Sequence, residues 1–97
     1  MSVAAGKYTI IFSAEAADGD SSVFNVAPEN TLWIGGTFDG ATVTLKSRPT
    51  GSGAAFINVP DAAFTAGTQQ QLRNNVGIDY KLTISSAGTT AIDAVII

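Results

Sequence analysis

Apolar and polar residues alternate with a period of two along most of the chain. Tyr8, Ile10 and Phe12 alternate with Lys7, Thr9 and Ser13, which predicts a strand with one buried face. Residues 23–27 read as a second short strand, ended by Pro28. In Thr31–Thr37, Leu32 and Ile34 fall on one face and Trp33 on the other. Ala41, Val43 and Leu45 then alternate with Thr42, Thr44 and Lys46. Between these runs, Phe38-Asp39-Gly40 marks a turn, because Asp-Gly supplies the positive φ that tight hairpin loops require. The unit expected here is a hairpin over residues 32–47.

Pro49-Thr50-Gly51-Ser52-Gly53 is a second turn cluster. Ala55, Ile57 and Val59 resume the alternation up to Pro60, and residues 62–66 form another short strand closed by Gly67. Gln69-Gln70-Gln71-Leu72-Arg73 carries no apolar stripe and reads as a polar edge strand. After a turn at Asn74-Asn75-Val76-Gly77, Ile78, Tyr80, Leu82 and Ile84 point one way and Asp79, Lys81, Thr83 and Ser85 the other. Ala87-Gly88 turns the chain into a last strand over residues 90–97. Short strands with turns every eight to twelve residues predict an all-β fold. The expected form is an antiparallel β-sandwich, jelly-roll-like or immunoglobulin-like, of about seven to nine strands. At 97 residues, positions 1–97 make a single domain.

The last strand breaks the pattern. Ile92, Ala94 and Ile96 share one face, yet Val95 and Ile97 occupy the other. A strand apolar on both sides is either central in a sandwich or covered by another subunit. Composition favours a covered surface: only 13% of residues are charged, against roughly 25% in typical soluble domains. Val95 and Ile97 are therefore interface candidates. Trp33 is a third, although a single Trp on a strand more often fills the core. Arg48 and Arg73 complete the set, since paired guanidinium groups tolerate desolvation. Self-association into a homo-oligomer follows as an expectation.

Catalytic chemistry is poorly provided for. The chain has no histidine and no cysteine, so disulfides and thiolate metal sites are excluded and a nucleophile would need a Lys or carboxylate base. The eight acids lie mostly at turns and outward strand positions. An enzyme and a cofactor are not expected. One stretch has cation-ligand spacing: Asp18, Asp20, Ser22 and Glu29 occupy positions one, three, five and twelve of a calcium loop. Position six is Val23 rather than the glycine that makes the sharp bend, so the turn reading is preferred and no metal is expected. The five bases are scattered and the net charge is −3, which argues against nucleic acid as a partner. The apolar run 8–12 is shorter than the roughly 7–15 residues of a secretory signal core. Nothing approaches the ~18 apolar residues of a membrane span. Synthesis in the cytoplasm, with no membrane partner, is the expectation.

Three segments carry a resemblance. They are Gly36-Thr37-Phe38-Asp39-Gly40-Ala41-Thr42-Val43-Thr44-Leu45, the stretch from Phe56 to Pro60 with its Val-Pro ending, and the stretch from Tyr80 to Gly88. They resemble small β-sandwich virion proteins of tailed bacteriophages, and the resemblance spans about two-thirds of the chain, from Thr31 onward. Many members of that group carry Trp where Phe56 stands, and residues 1–30 have no counterpart. The resemblance implies a non-enzymatic structural virion protein, foremost a capsid decoration protein. Its partners would be the major capsid protein or another virion protein and copies of itself, a trimer being expected from the threefold junctions such proteins occupy. The alternative is a carbohydrate-binding or host-adhesion module of a tail or fibre, using Trp33 and the turns at Asp39 and Gly51.

Overall fold

The computed structural model describes residues 9–25, 30–72, 77–86 and 88–97. Eight strands occur among them: β1 (Thr9–Glu15), β2 (Gly19–Asp20), β3 (Thr31–Thr37), β4 (Thr42–Pro49), β5 (Ile57–Phe64), β6 (Thr68–Gln71), β7 (Ile78–Ser85) and β8 (Ala91–Ile96). They form two antiparallel four-stranded sheets, sheet A in the order β1-β8-β3-β6 and sheet B in the order β2-β7-β4-β5. The fold is a small all-β sandwich. The outer pairings β1/β8 and β3/β6 in one sheet alternate with β2/β7 and β4/β5 in the other. That is a long antiparallel ribbon, folded at the β4–β5 turn and wrapped across two layers, which is jelly-roll and not immunoglobulin-like order.

Alternation drives each layer. Leu32 and Ile34 of β3 and Ile92 and Ala94 of β8 are buried against Val43 and Leu45 of β4 and Leu82 and Ile84 of β7. Phe12, Phe24, Phe38, Tyr80 and Ile96 close the same core around its margin. Phe24 stacks on Tyr80, with ring centroids 6.0 Å apart, and bridges it through paired backbone bonds. The short axis of 21 Å fits two sheets about 10 Å apart with one layer of side chains outside each.

The expected hairpin over residues 32–47 does not form. The turn itself is made as read: Asp39 and Gly40 have φ of +45° and +85°, and Ala41 N–H donates to the Phe38 carbonyl at 2.9 Å. Yet β3 belongs to sheet A and β4 to sheet B. Their apolar sides meet across the core instead of lying edge to edge. Phe38 and Ala41, both buried, plug the end of the sandwich where the chain changes layers. Asp39 Oδ2 accepts the Thr89 N–H at 2.7 Å, clasping this connection to the one before β8. Thr90 Oγ1 likewise donates to the Ala16 carbonyl between β1 and β2.

Irregular pairing overturns two further expectations of facing. Ile10 is opposite Val95 while Phe12 is opposite Ala94, so one residue is extra on β1 and the parity of the strand flips. Phe12 enters the core; Ile10 is left 58% exposed on the outer face. Pro60 does not end its strand. β5 runs through it as the edge of sheet B, where a missing N–H is tolerated. Between the pairs Lys46↔Asn58 and Thr44↔Ala63 the register shifts, and Asp61 takes a φ of +57°. Inward positions are therefore odd-numbered before the shift and even-numbered from Ala62 on; Ile57, opposite Ser47, is on the inward side but 68% exposed at the open sheet edge. Residues 68–71 do form a polar edge strand. Residues 23–27 give only the isolated Phe24–Tyr80 bridge among their described positions.

Candidate functional site

Cross-strand register brings the interface candidates of sheet A into one line. Ile10 of β1 pairs with Val95 of β8, Val95 pairs with Trp33 of β3, and Trp33 pairs with Gln69 of β6. All four lie on the outer face, because their neighbours Leu32, Ile34, Ala94 and Ile96 point into the core. Trp33 is 37% exposed, as is Ile97. Trp33 thus takes the surface position, and the core reading of this residue is overturned. Its ring lies flat on the sheet because Gly35 has no side chain: a Cβ there would come within 2.5 Å of the indole. A shallow groove of about 360 Å³ runs beside it, lined by Trp33, Gly35, Gly67, Thr68 and Gln69.

Sheet B presents the opposite chemistry. Asp20, Thr83, Thr44 and Ala63 form one outer row, Lys81, Lys46 and Asn58 the next, and Asp79 and Arg48 a third. Lys81 stands directly opposite Lys46, a pairing that like charges disfavour. Lys81 is drawn off it by Asp20 Oδ2 at 2.7 Å, and its ammonium sits 4.6 Å from the centre of the Phe56 ring. Arg48 approaches the same ring at 4.4 Å, so two cations share the Phe56 ring. Arg48 also pairs with Asp79 at 3.5 Å and donates to the Ala54 carbonyl at 3.3 Å. This interface candidate is thus paired within its own chain while its side chain stays partly exposed.

Asp79 is the hub of this face. It is only 8% exposed, although alternation places it outside. Oδ1 accepts from Asn25 Nδ2 at 2.9 Å and from Thr50 Oγ1 at 3.1 Å. The Asn25 hydrogen bond does most to hold its carboxyl below the usual range, with Thr50 and Arg48 adding to it against the cost of burial. Hydrogen bonds from Lys81 and Thr83 lower Asp20 in the same way. Burial pushes the Tyr80 phenol up.

Two residues of the calcium-loop spacing, Asp20 and Ser22, are engaged locally. The two oxygens of Asp20 are taken by Lys81 and Thr83; Ser22 is exposed, its carbonyl accepting from the Ser21 hydroxyl. Glu29 and Arg73 lie outside the described residues. Among the described residues no three acids gather in a metal-binding group. Sequence reasoning missed Phe56, Lys81 and Asp79 as a set. Their signal was present in the Asp79/Lys81 alternation, but pairing them required the β4–β7 register. No protein-family model, no curated protein and no solved structure matches the chain.

Proposed function

We propose that this chain is a non-enzymatic structural protein of a tailed-phage virion, a capsid decoration protein that adheres to the shell through the outer face of sheet A. The observation that carries the reading is the row Ile10, Val95 and Trp33 on the outer face of sheet A, with Ile10 and Trp33 exposed and Val95 half-buried between them. A flat face of this kind binds by shape and desolvation, and aromatic anchors such as Trp contribute disproportionately. Binding only the assembled shell stabilises it by mass action, without any turnover. The sequence resemblance to virion proteins supports the same reading.

The test is cosedimentation with purified shells. Wild-type protein is expected in the pellet and the Val95→Asp/Ile97→Asp variant in the supernatant. Wild type left in the supernatant at saturating shell overturns the reading. Trp33 on its glycine seat, with Thr68 and Gln69 beside it, favours one second reading: a sugar-stacking platform of an adhesion module. Quenching of Trp33 fluorescence by a glycan, with no shell binding, selects it.

A further inference from the structure

A sheet edge offers a row of unpaired backbone groups, and proteins guard such rows with bulges, prolines, charges or brevity. Three of the four edges among the described residues are guarded. β1 shifts register twice and holds Ala14 at a φ of +49°. β2 is two residues long. β5 carries Pro60 and its own register shift. β6 is different: its four residues, Thr68-Gln69-Gln70-Gln71, stay in register with β3 throughout and contain no proline, charge or bulge.

The direction of its backbone groups follows from one hydrogen bond. Leu72 N–H donates to the Asn30 carbonyl at 2.8 Å. Hydrogen-bonded and non-bonded pairs alternate along an antiparallel ladder, so Gln70 and Thr68 also bond inward to β3. Gln69 and Gln71 therefore turn their N–H and C=O groups away from the sheet. We infer that β6 is the site where a second copy of this chain adds its own β6, antiparallel, about a twofold axis at Gln70.

The occupant follows from self-complementarity. In that register Gln69 meets Gln71 of the other copy twice, giving four backbone hydrogen bonds. A charged edge strand placed against itself would set like charges opposite each other. A glutamine amide both donates and accepts, so a glutamine strand is its own partner. The two copies form one continuous eight-stranded sheet, in which each row Ile10–Val95–Trp33–Gln69 runs on across the axis into the partner's Gln71, the partner's Thr31 and the partner's Ile97. The contact is twofold, in place of the threefold association expected from the resemblance. It leaves the outer face of sheet A open, and it does not depend on what that face binds.

Sedimentation equilibrium from about 10 to 500 µM tests it. Wild type is expected to shift from monomer to dimer mass across this range. Gln69→Lys/Gln71→Lys should raise the dissociation constant at least about tenfold by opposing like charges. Gln69→Pro removes only an outward donor and should do the same with the sandwich intact. Wild type monomeric throughout, a trimer, or a dimer that both variants leave unchanged overturns the proposal. Should the variants fail to fold, wild-type amide exchange decides. Protection of Gln69 and Gln71 that grows with protein concentration supports the edge, and concentration-independent fast exchange overturns it. Shell cosedimentation is a separate readout, so the two readings fail separately.

Discussion

The two outer faces of this sandwich are built on the same ladder geometry and finished in opposite ways. On sheet B two cations are engaged within the molecule, Arg48 by Asp79 and Lys81 by Asp20, and both approach the Phe56 ring. On sheet A the equivalent positions hold Ile10, Val95 and Trp33, which face outward. The lesson is about where specificity is kept. Sheet B spends its polar groups on holding the fold, through contacts that tie the β2–β3 connection, the β4–β5 turn and β7 to one carboxylate. Sheet A leaves Ile10 and Trp33 exposed on its outer face, the surface that the proposed shell contact would cover.

The largest expected effect breaks the face that looks outward. Val95→Asp with Ile97→Asp removes apolar contact of roughly 3–6 kcal/mol before entropy costs. Shell binding should weaken at least about a hundredfold, with the far-UV circular dichroism of a β protein retained. A variant that binds as wild type removes sheet A from the argument. Phe56→Ala, on the other face, should do the reverse: unfolding stability falls by about 1–3 kcal/mol, from two lost cation–π contacts and a vacated ring, with shell binding unchanged. Denaturant melts alongside cosedimentation separate the two outcomes.

A smaller effect appears in acid. Asp79 and Asp20 have carboxyls held below their unfolded values near 3.9. The unfolded chain therefore binds protons first as pH falls, and the stability these groups contribute is present above about pH 4 and lost below it. The thermal midpoint should be flat from about pH 7 to 5 and decline through pH 4 to 2. Asp79→Asn should be less stable at neutral pH and show a shallower decline. Smallest of all, Gly35→Ala should lift the Trp33 ring from its seat and red-shift its fluorescence, with little change in the unfolding midpoint. An unshifted spectrum would mean the ring is held by something other than that gap.

Individual strands were legible in the sequence; their partners were not. β3, β4, β7 and β8 follow the alternation because each buries one whole face, so a period of two is all that is needed. The Asp39-Gly40 turn was legible too, but a turn fixes only where the chain reverses. Whether the flanking strands then pair or part is decided by Phe38 and Ala41 entering the core, a tertiary event without local signal. Ile10 and the residues of β5 beyond Asp61 were misplaced for a related reason. An extra residue flips facing parity, and neither the bulge beside Ile11 nor the one at Asp61 is marked by a glycine. The row on sheet A joins residues up to 85 positions apart, Ile10 to Val95, and only the register can assemble it. The Asp18–Glu29 spacing was legible, but not that Asp20 answers to Lys81 and Thr83 across the sheet.

The wrapped-ribbon pairing sets an order of events in folding. β4 and β5 meet across the seven-residue connection 50–56, so among the paired strands theirs is the cheapest loop to close. Once they are joined, β3 and β6 are brought near, then β2 and β7, and last β1 and β8. Each step closes a small additional loop instead of one spanning the chain, which lowers the entropic barrier of a topology rich in distant contacts. We expect substitutions around Leu45 and Ala62 to slow folding and those at Phe12 and Ile96 mainly to speed unfolding, a gradient that φ-values measured along the ribbon would reveal or refute. Sheet A would then be completed only when β8 slots between β1 and β3, so the outer row of Ile10, Val95 and Trp33 comes into existence as the final act of folding. An incompletely folded chain would have no such surface to offer.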